Sequence, residues 1–244
     1  MCYKNDRISA VLIPHAGGSA AELREFSGML QERFDVISYE LPGRGRRRSE
    51  PSLTALEDVL ADLMSRIPDV GPIVIIGYSF GAYLGLLAAH RLREADAQRV
   101  VSLVLLANEP IHKRRYYLRG LPEERHPGFL RDFCVQMGGV PESIMADNWL
   151  SAQLFKKLAE DLLIADQIPF DLPAISNVSM LVVYGRDDPL LTSNMTEWPQ
   201  LSDATTTLLS VSGGHFVLES HSRRVFNELI EFHEHGHAAG IQGT

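Results

Sequence analysis

Cysteine is nearly absent from this chain. Cys2 and Cys134 are the only two in 244 residues, too few for a disulfide scaffold and spaced for no zinc knuckle. Positive charge is also in deficit. Lys and Arg number 23 against 31 Asp and Glu, a formal net charge of −8, which argues against duplex nucleic acid as a partner. Long unbroken apolar runs are missing too. Residues 71–89 carry no charged side chain, but Pro72, Gly77, Ser79, Gly81 and Gly85 interrupt them. A spanning helix needs about 20 apolar residues in a row. The first half of this run is β-branched and the second rich in Ala and Leu, so a strand turning into a helix explains it better. The opening MCYKNDRISAVLIP has charges and only a short apolar run, unlike a signal peptide, and a cytoplasmic location is expected. Neither Gly-x-Gly-x-x-Gly nor a Walker pattern occurs, so no nucleotide cofactor is expected. No internal repeat or low-complexity tract is evident.

What is present fits a globular protein. Hydrophobic residues make up 45% and charged residues 22%, and the length suits one sizeable core, a single domain over 1–244. Short β-rich runs alternate with helical patterns. ISAVLIP (8–14), FDVISYE (34–40), PIVIIGY (72–78), VVSLVLLAN (100–108), VSMLVVYG (178–185) and TTTLLSV (205–211) read as strands. Segments 21–34, 52–67, 81–95 and 219–235 read as helices. Strands apolar throughout and separated by helices predict a parallel sheet covered on both faces, an α/β doubly wound fold. Between about 110 and 173 the strand signal stops. FLRDFCVQM (129–137) and residues 150–167 carry helical spacing, which suggests a helical insertion serving as a lid. The tail GHAAGIQGT is expected to fray.

Gly77-Tyr78-Ser79-Phe80-Gly81 matches Gly-x-Ser-x-Gly. The match alone is weak, because an incidental serine in a tight βα turn would give it too. Its position carries more weight. It lies where PIVIIGY must give way to the helix GAYLGLLAAH, and so abrupt a turn needs glycines on either side of a lifted hydroxyl. A serine attacks only when a base takes its proton. In such folds an acid and then a histidine follow in chain order. GRDDPL offers Asp187 and Asp188 just after a strand; Asp188 is preferred, with Asp187 as the alternative. GGHF offers His215 on a glycine-rich loop after the next strand. His90 and His221 sit within helical runs, and His112 and His126 lie in the insertion. His233, His235 and His237 look like a metal cluster, but a solvated helix end is the better reading and no metal is expected. Two backbone amides should face a developing oxyanion. One is that of Phe80, and the second should come from the loop Pro14-His15-Ala16-Gly17-Gly18.

These residues together resemble the type II (discrete) thioesterases of nonribosomal peptide and polyketide synthesis, which have the α/β-hydrolase fold. The resemblance rests on PHAGGSA (14–20), LPGRGRR (41–47), GYSFGA (77–82), GRDDPL (185–190) and GGHF (213–216), in that order. It implies Ser79 as nucleophile, Asp188 as acid, His215 as base, and the amides of Ala16 and Phe80 as oxyanion donors, with no cofactor. It also implies the substrate, an acyl thioester on the phosphopantetheine arm of an acyl or peptidyl carrier protein. Tyr78 and Phe80 depart from the His and Met common in the family, which bears on pocket shape and acyl preference. Carrier proteins are acidic around the arm, so docking would need local positive charge. The runs 44–48 and 113–115, with Arg119, are available; either could be a solvated face, and Arg44 and Arg47 could be structural. The alternative function is an esterase or acyltransferase for a small acyl substrate, and a non-catalytic cleft binder is the third reading. No apolar stripe is left without a core role, so a monomer without a membrane partner is expected.

Overall fold

The computed structural model describes residues 7–240, with side chains to 234. Cys2, the side chains of His235 and His237, and the tail from 241 lie outside what is described. The elements run β1 (Ser9–Ile13), α1 (Arg24–Leu30), β2 (Asp35–Ser38), α2 (Leu56–Arg66), β3 (Ile73–Tyr78), α3 (Phe80–Ala95) and β4 (Val100–Leu106). They continue with α4 (His126–Met137), α5 (Glu142–Ala146), α6 (Asn148–Ala165), β5 (Ser179–Gly185), β6 (Thr206–Val211) and α7 (Val217–Gly240), the last kinked at His221. All strand pairings are parallel, in the order β2-β1-β3-β4-β5-β6.

Strand chemistry follows from burial on both faces. In β3, Ile73 and Ile75 point into one core with α2 and α3, while Val74, Ile76 and Tyr78 point into another with α1 and α7. A strand buried on both sides has no polar face, so alternation vanishes from its sequence. The charge-free run 71–89 is β3 plus the buried first half of α3. Among the described residues no helix is long and apolar enough to cross a membrane.

Two helices are shorter than their periodicity predicts. The ends of the 21–34 segment are turns, leaving a helix of only Arg24–Leu30. The 52–67 segment becomes helical only at Leu56, because Ala55 offers no capping side chain. The Leu56 amide donates instead to Gln167 Oε1 at 3.0 Å, a distant partner that periodicity cannot reveal.

Between β4 and β5 the chain forms helices, turns and one isolated bridge, Ile175 with Ser202. Its helices have a small core of their own around Leu118, Leu130, Phe133, Leu158 and Leu162. Successive strands step outward from β1 on one side and from β3 on the other. Their following loops therefore part at the carboxyl ends of β1 and β3, where open parallel sheets form a crevice. The loops 14–18 and 77–81 both lie there.

Candidate active site

The turn after β3 shows why its glycines are required. Ser79 has φ 51° and ψ −116°, strained for a residue with a side chain. A Cβ on Gly77 would lie 2.2 Å from the Gly81 carbonyl oxygen, and one on Gly81 would lie 2.5 Å from those of Ile13 and Pro14. Any side chain at either position would push β3, α3 and the loop after β1 apart. The Ser79 amide is held by the Leu106 carbonyl at 2.7 Å, which fixes the turn against β4.

The hydroxyl raised by this turn meets His215. The Ser79 Oγ to His215 Nε2 distance is 3.0 Å, and His215 Nδ1 lies 2.8 Å from Asp188 Oδ2. An ionised carboxylate only accepts, so Nδ1 carries the proton and Nε2 accepts from the serine. The side chains of His215 and Asp188 are 2% and 0% exposed, so water does not compete for their bond. The other Asp188 oxygen, Oδ1, accepts from the Leu190 amide at 2.9 Å. Asp187 does not reach the imidazole. Its carboxylate accepts from the Gly213 amide at 3.2 Å and steadies the loop that carries His215.

Three other histidines have partners elsewhere. His112 pairs with Glu197, His126 meets the Leu121 carbonyl, and His221 meets Ser212. Burial holds His90 below its usual range.

Three supporting side chains had no sequence motif to announce them. Asn108, just past β4, donates to the Ser79 carbonyl at 2.7 Å, which also accepts from the Ala82 amide at 2.8 Å. Pinning that carbonyl fixes the plane of the Ser79–Phe80 peptide and hence the direction of the Phe80 N–H. Glu109 Oε1 accepts from the amides of Thr192 and Ser193 at 2.5 and 2.7 Å, bracing the chain beyond Asp188. Asn108 and Glu109 follow a strand end on the same rim, the one signal that could have found them. The third is Asp161 of α6. It accepts from the Gly17 amide at 2.7 Å and takes both arms of the Arg44 guanidinium, at 2.6 and 2.7 Å. Among the described residues the turn and loop bonds leave the amides of Ala16 and Phe80 without a carbonyl acceptor.

His15 packs edge-on against Tyr78 and Phe216, with ring centroids 5.5 and 5.3 Å apart. Burial opposes its charge, but the hydrogen bond and charge of Glu22 more than reverse this and raise its pKa. The cavity over Ser79 is only about 20 Å³, closed in by Tyr83, Tyr117, Phe133 and Met137. A groove of about 680 Å³ shares His15, Ala16 and Met137 with it but does not touch Ser79. Size alone would pick the groove, but Ser79 and His215 line the smaller space.

The two basic runs shrink on folding. Arg44 is buried against Asp161, and Arg47 forks onto Asp62 at 2.6 and 2.8 Å. Arg114 is buried, donates to the Ile168 carbonyl and lies 3.8 Å from the Phe170 ring centre. Lys113 meets Glu197 at 3.0 Å. Arg46, Arg48, Arg115 and Arg119 stay exposed. Among the described residues no group of side chains could hold a metal.

The family model described as a thioesterase domain matches residues 10–235. The medium-chain S-acyl fatty acid synthase thioesterase of Homo sapiens is 22% identical over 88% of this chain and 83% of its own. Thioesterase PikA5 of Streptomyces venezuelae is 25% identical over 93% and 81%. Among solved structures, ClbQ from the colibactin NRPS/PKS pathway superposes with a TM-score of 0.83 at 20% identity, over 96% of this chain and 100% of that one. At that identity the superposition speaks for the fold.

Proposed function

The chain belongs to the thioesterase domain family, and from that premise we propose that it hydrolyses acyl thioesters on the phosphopantetheine arm of carrier proteins in peptide or polyketide synthesis. The observation that carries the chemistry is the single imidazole bridging Ser79 and Asp188, at 3.0 and 2.8 Å. The relatives named above come from fatty acid and polyketide chemistry, where acyl groups travel as thioesters, and this supports the choice of substrate.

The residues act in sequence. His215 Nε2 takes the Ser79 proton as Oγ bonds to the thioester carbonyl carbon. The carbonyl oxygen becomes an oxyanion facing the amides of Ala16 and Phe80. Asp188 holds the imidazolium in orientation through Nδ1–H and stays ionised. The C–S bond then breaks and the thiol leaves with the proton from His215. A thiol of pKa near about 8.5 needs less protonation to depart than an alcohol does. Water next loses a proton to His215, attacks the acyl-serine, and the acid departs as the proton returns to Oγ. In this reading the helices between β4 and β5 form a lid over the serine.

The test is mass spectrometry of a carrier protein loaded with a short acyl group, before and after incubation with the enzyme. Release of the free pantetheine thiol is expected, and Ser79→Ala should abolish it. Rapid hydrolysis of the matching free ester, with the carrier left acylated, would replace this proposal with an esterase.

A further inference from the structure

We propose that Asp161 is a positioning residue: from the helix α6 it sets the geometry of the loop that presents the Ala16 amide. This rests on the reading of Ala16 as an oxyanion donor. Three peptide groups of the loop are tied. The His15 carbonyl accepts from the Gly18 amide at 3.1 Å, and the Ala16 carbonyl accepts from His15 Nδ1 at 3.0 Å. The Gly17 amide donates to Asp161 Oδ2 at 2.7 Å. The peptides on both sides of the Ala16 α-carbon are therefore fixed, and with them the direction of its N–H. Of these three ties the Gly17 bond alone leaves the loop, to a residue 144 positions away, and Arg44 adds a weaker one at Gly18.

Asp161 is itself locked. Its side chain is 0% exposed, and both carboxylate oxygens receive the fork of Arg44. Arg44 Nη1 also reaches the Gly18 carbonyl at 3.3 Å. A bidentate guanidinium fixes a carboxylate in angle as well as distance. Gly17 has φ +74°, and a Cβ there would touch Leu158, one turn before Asp161. The loop thus leans on α6 at two adjacent places. This gives the LPGRGRR motif a task beside PHAGG: its first arginine aims the carboxylate that aims the loop. A helix of the lid and the oxyanion loop are then one mechanical unit.

A buried ion pair exchanged for apolar residues of similar volume often keeps or raises stability. Arg44→Met/Asp161→Leu therefore removes the Gly17 acceptor while filling the space. Serine sites are counted with a fluorophosphonate, and kcat and KM are measured on a short acyl-pantetheine thioester. Expected are a melting temperature near the parent's and KM within about threefold. kcat per titrated site should fall roughly 10²-fold, the scale of a lost oxyanion donor. Affinity for a trifluoromethyl ketone analogue should fall by the same factor, and the pH profile should keep its shape. Asp161→Asn keeps the volume and one acceptor but loses the charge for Arg44; it should lose about tenfold in kcat per site, and it decides the matter if the double variant does not fold. Either folded variant with kcat per site within threefold of the parent would overturn the inference, leaving Asp161 a purely structural residue. A parent enzyme whose Ser79 takes no label would overturn the proposed function, and this inference with it, before any variant is made.

Discussion

The carboxyl-end rim of the sheet and the helices between β4 and β5 are held together in different ways. At the rim the backbone does most of the holding. Ser79 is strained, Gly77 and Gly81 leave no room for a Cβ, and amides clamp Asp188 and the Ser79 carbonyl. Between β4 and β5 the holding is by side chains: a small apolar cluster and the buried Arg44–Asp161 pair. Backbone constraints admit few residue types, whereas side-chain cores accept many that fill the same volume. The rim should therefore fail in activity at single atoms and the helices in stability and fit, except at Asp161, whose bond to the Gly17 amide ties it to the rim.

The largest effects sharpen that contrast. Asp188→Asn should cost on the order of 10⁴ in kcat, since an amide can hold the imidazole in the wrong tautomer. Asp187→Asn should cost less than about tenfold, because its carboxylate meets the Gly213 amide and not the imidazole among the described residues. Equal losses in steady-state assays would break the assignment of the acid. Next comes Asn108→Ala, which frees the Ser79 carbonyl from one of its two donors. A kcat loss of about 10-fold to 10²-fold with KM unchanged is expected, below the loss of a donor itself. A change confined to KM would mean that Asn108 contacts substrate rather than aiming the turn.

The same difference decides what could be read from the sequence. The inner strands were legible because double burial leaves continuous apolar runs such as PIVIIGY. The meeting of Ser79, Asp188 and His215 was legible because each falls just past a strand. Arg44 was visible in its motif, but nothing marked Asp161 as its partner 117 residues on. An aspartate within LFKKLAEDLL reads as one more polar residue on an amphipathic helix, and only packing turns it inward. Asn108 and Glu109 escaped notice for a related reason: both act on backbone groups, which leave no trace in residue type. The 52–67 helix starts late because its cap, Gln167, comes from a distant segment.

Stability should divide the two regions again. Ile75 is fully buried in the sheet core, and Ile75→Ala should cost about 2–5 kcal/mol in urea unfolding. Leu130 lies in the separate cluster of the helices. Leu130→Ala should cost under about 2 kcal/mol globally, yet speed protease cleavage between 126 and 165, as expected where a unit can open by itself. Equal global costs, with no change in cleavage, would merge the two regions into one cooperative core.

The smallest effect concerns the seam between the loop after β1 and the turn before α1, where His15 and Glu22 pair at 3.2 Å. Burial opposes charge on both, yet each partner reverses this for the other. His15 is raised above its usual 6.5 and Glu22 lowered below its usual 4.5. A raised histidine adds stability that is complete below pH 6.5 and is lost as pH climbs through its folded value. A lowered carboxylate adds stability that is present above pH 4.5 and is lost as pH falls through its folded value. The pair therefore contributes most between about pH 4.5 and 6.5 and fades on either side. Glu22 is half exposed, so solvent screens much of the effect. Glu22→Gln should flatten the loss of stability from pH 6.5 to 8, read as melting temperature against pH, with kcat nearly unchanged at pH 8. If instead kcat fell with the melting curve untouched, the pair would belong to the chemistry of the rim rather than to the seam beside it.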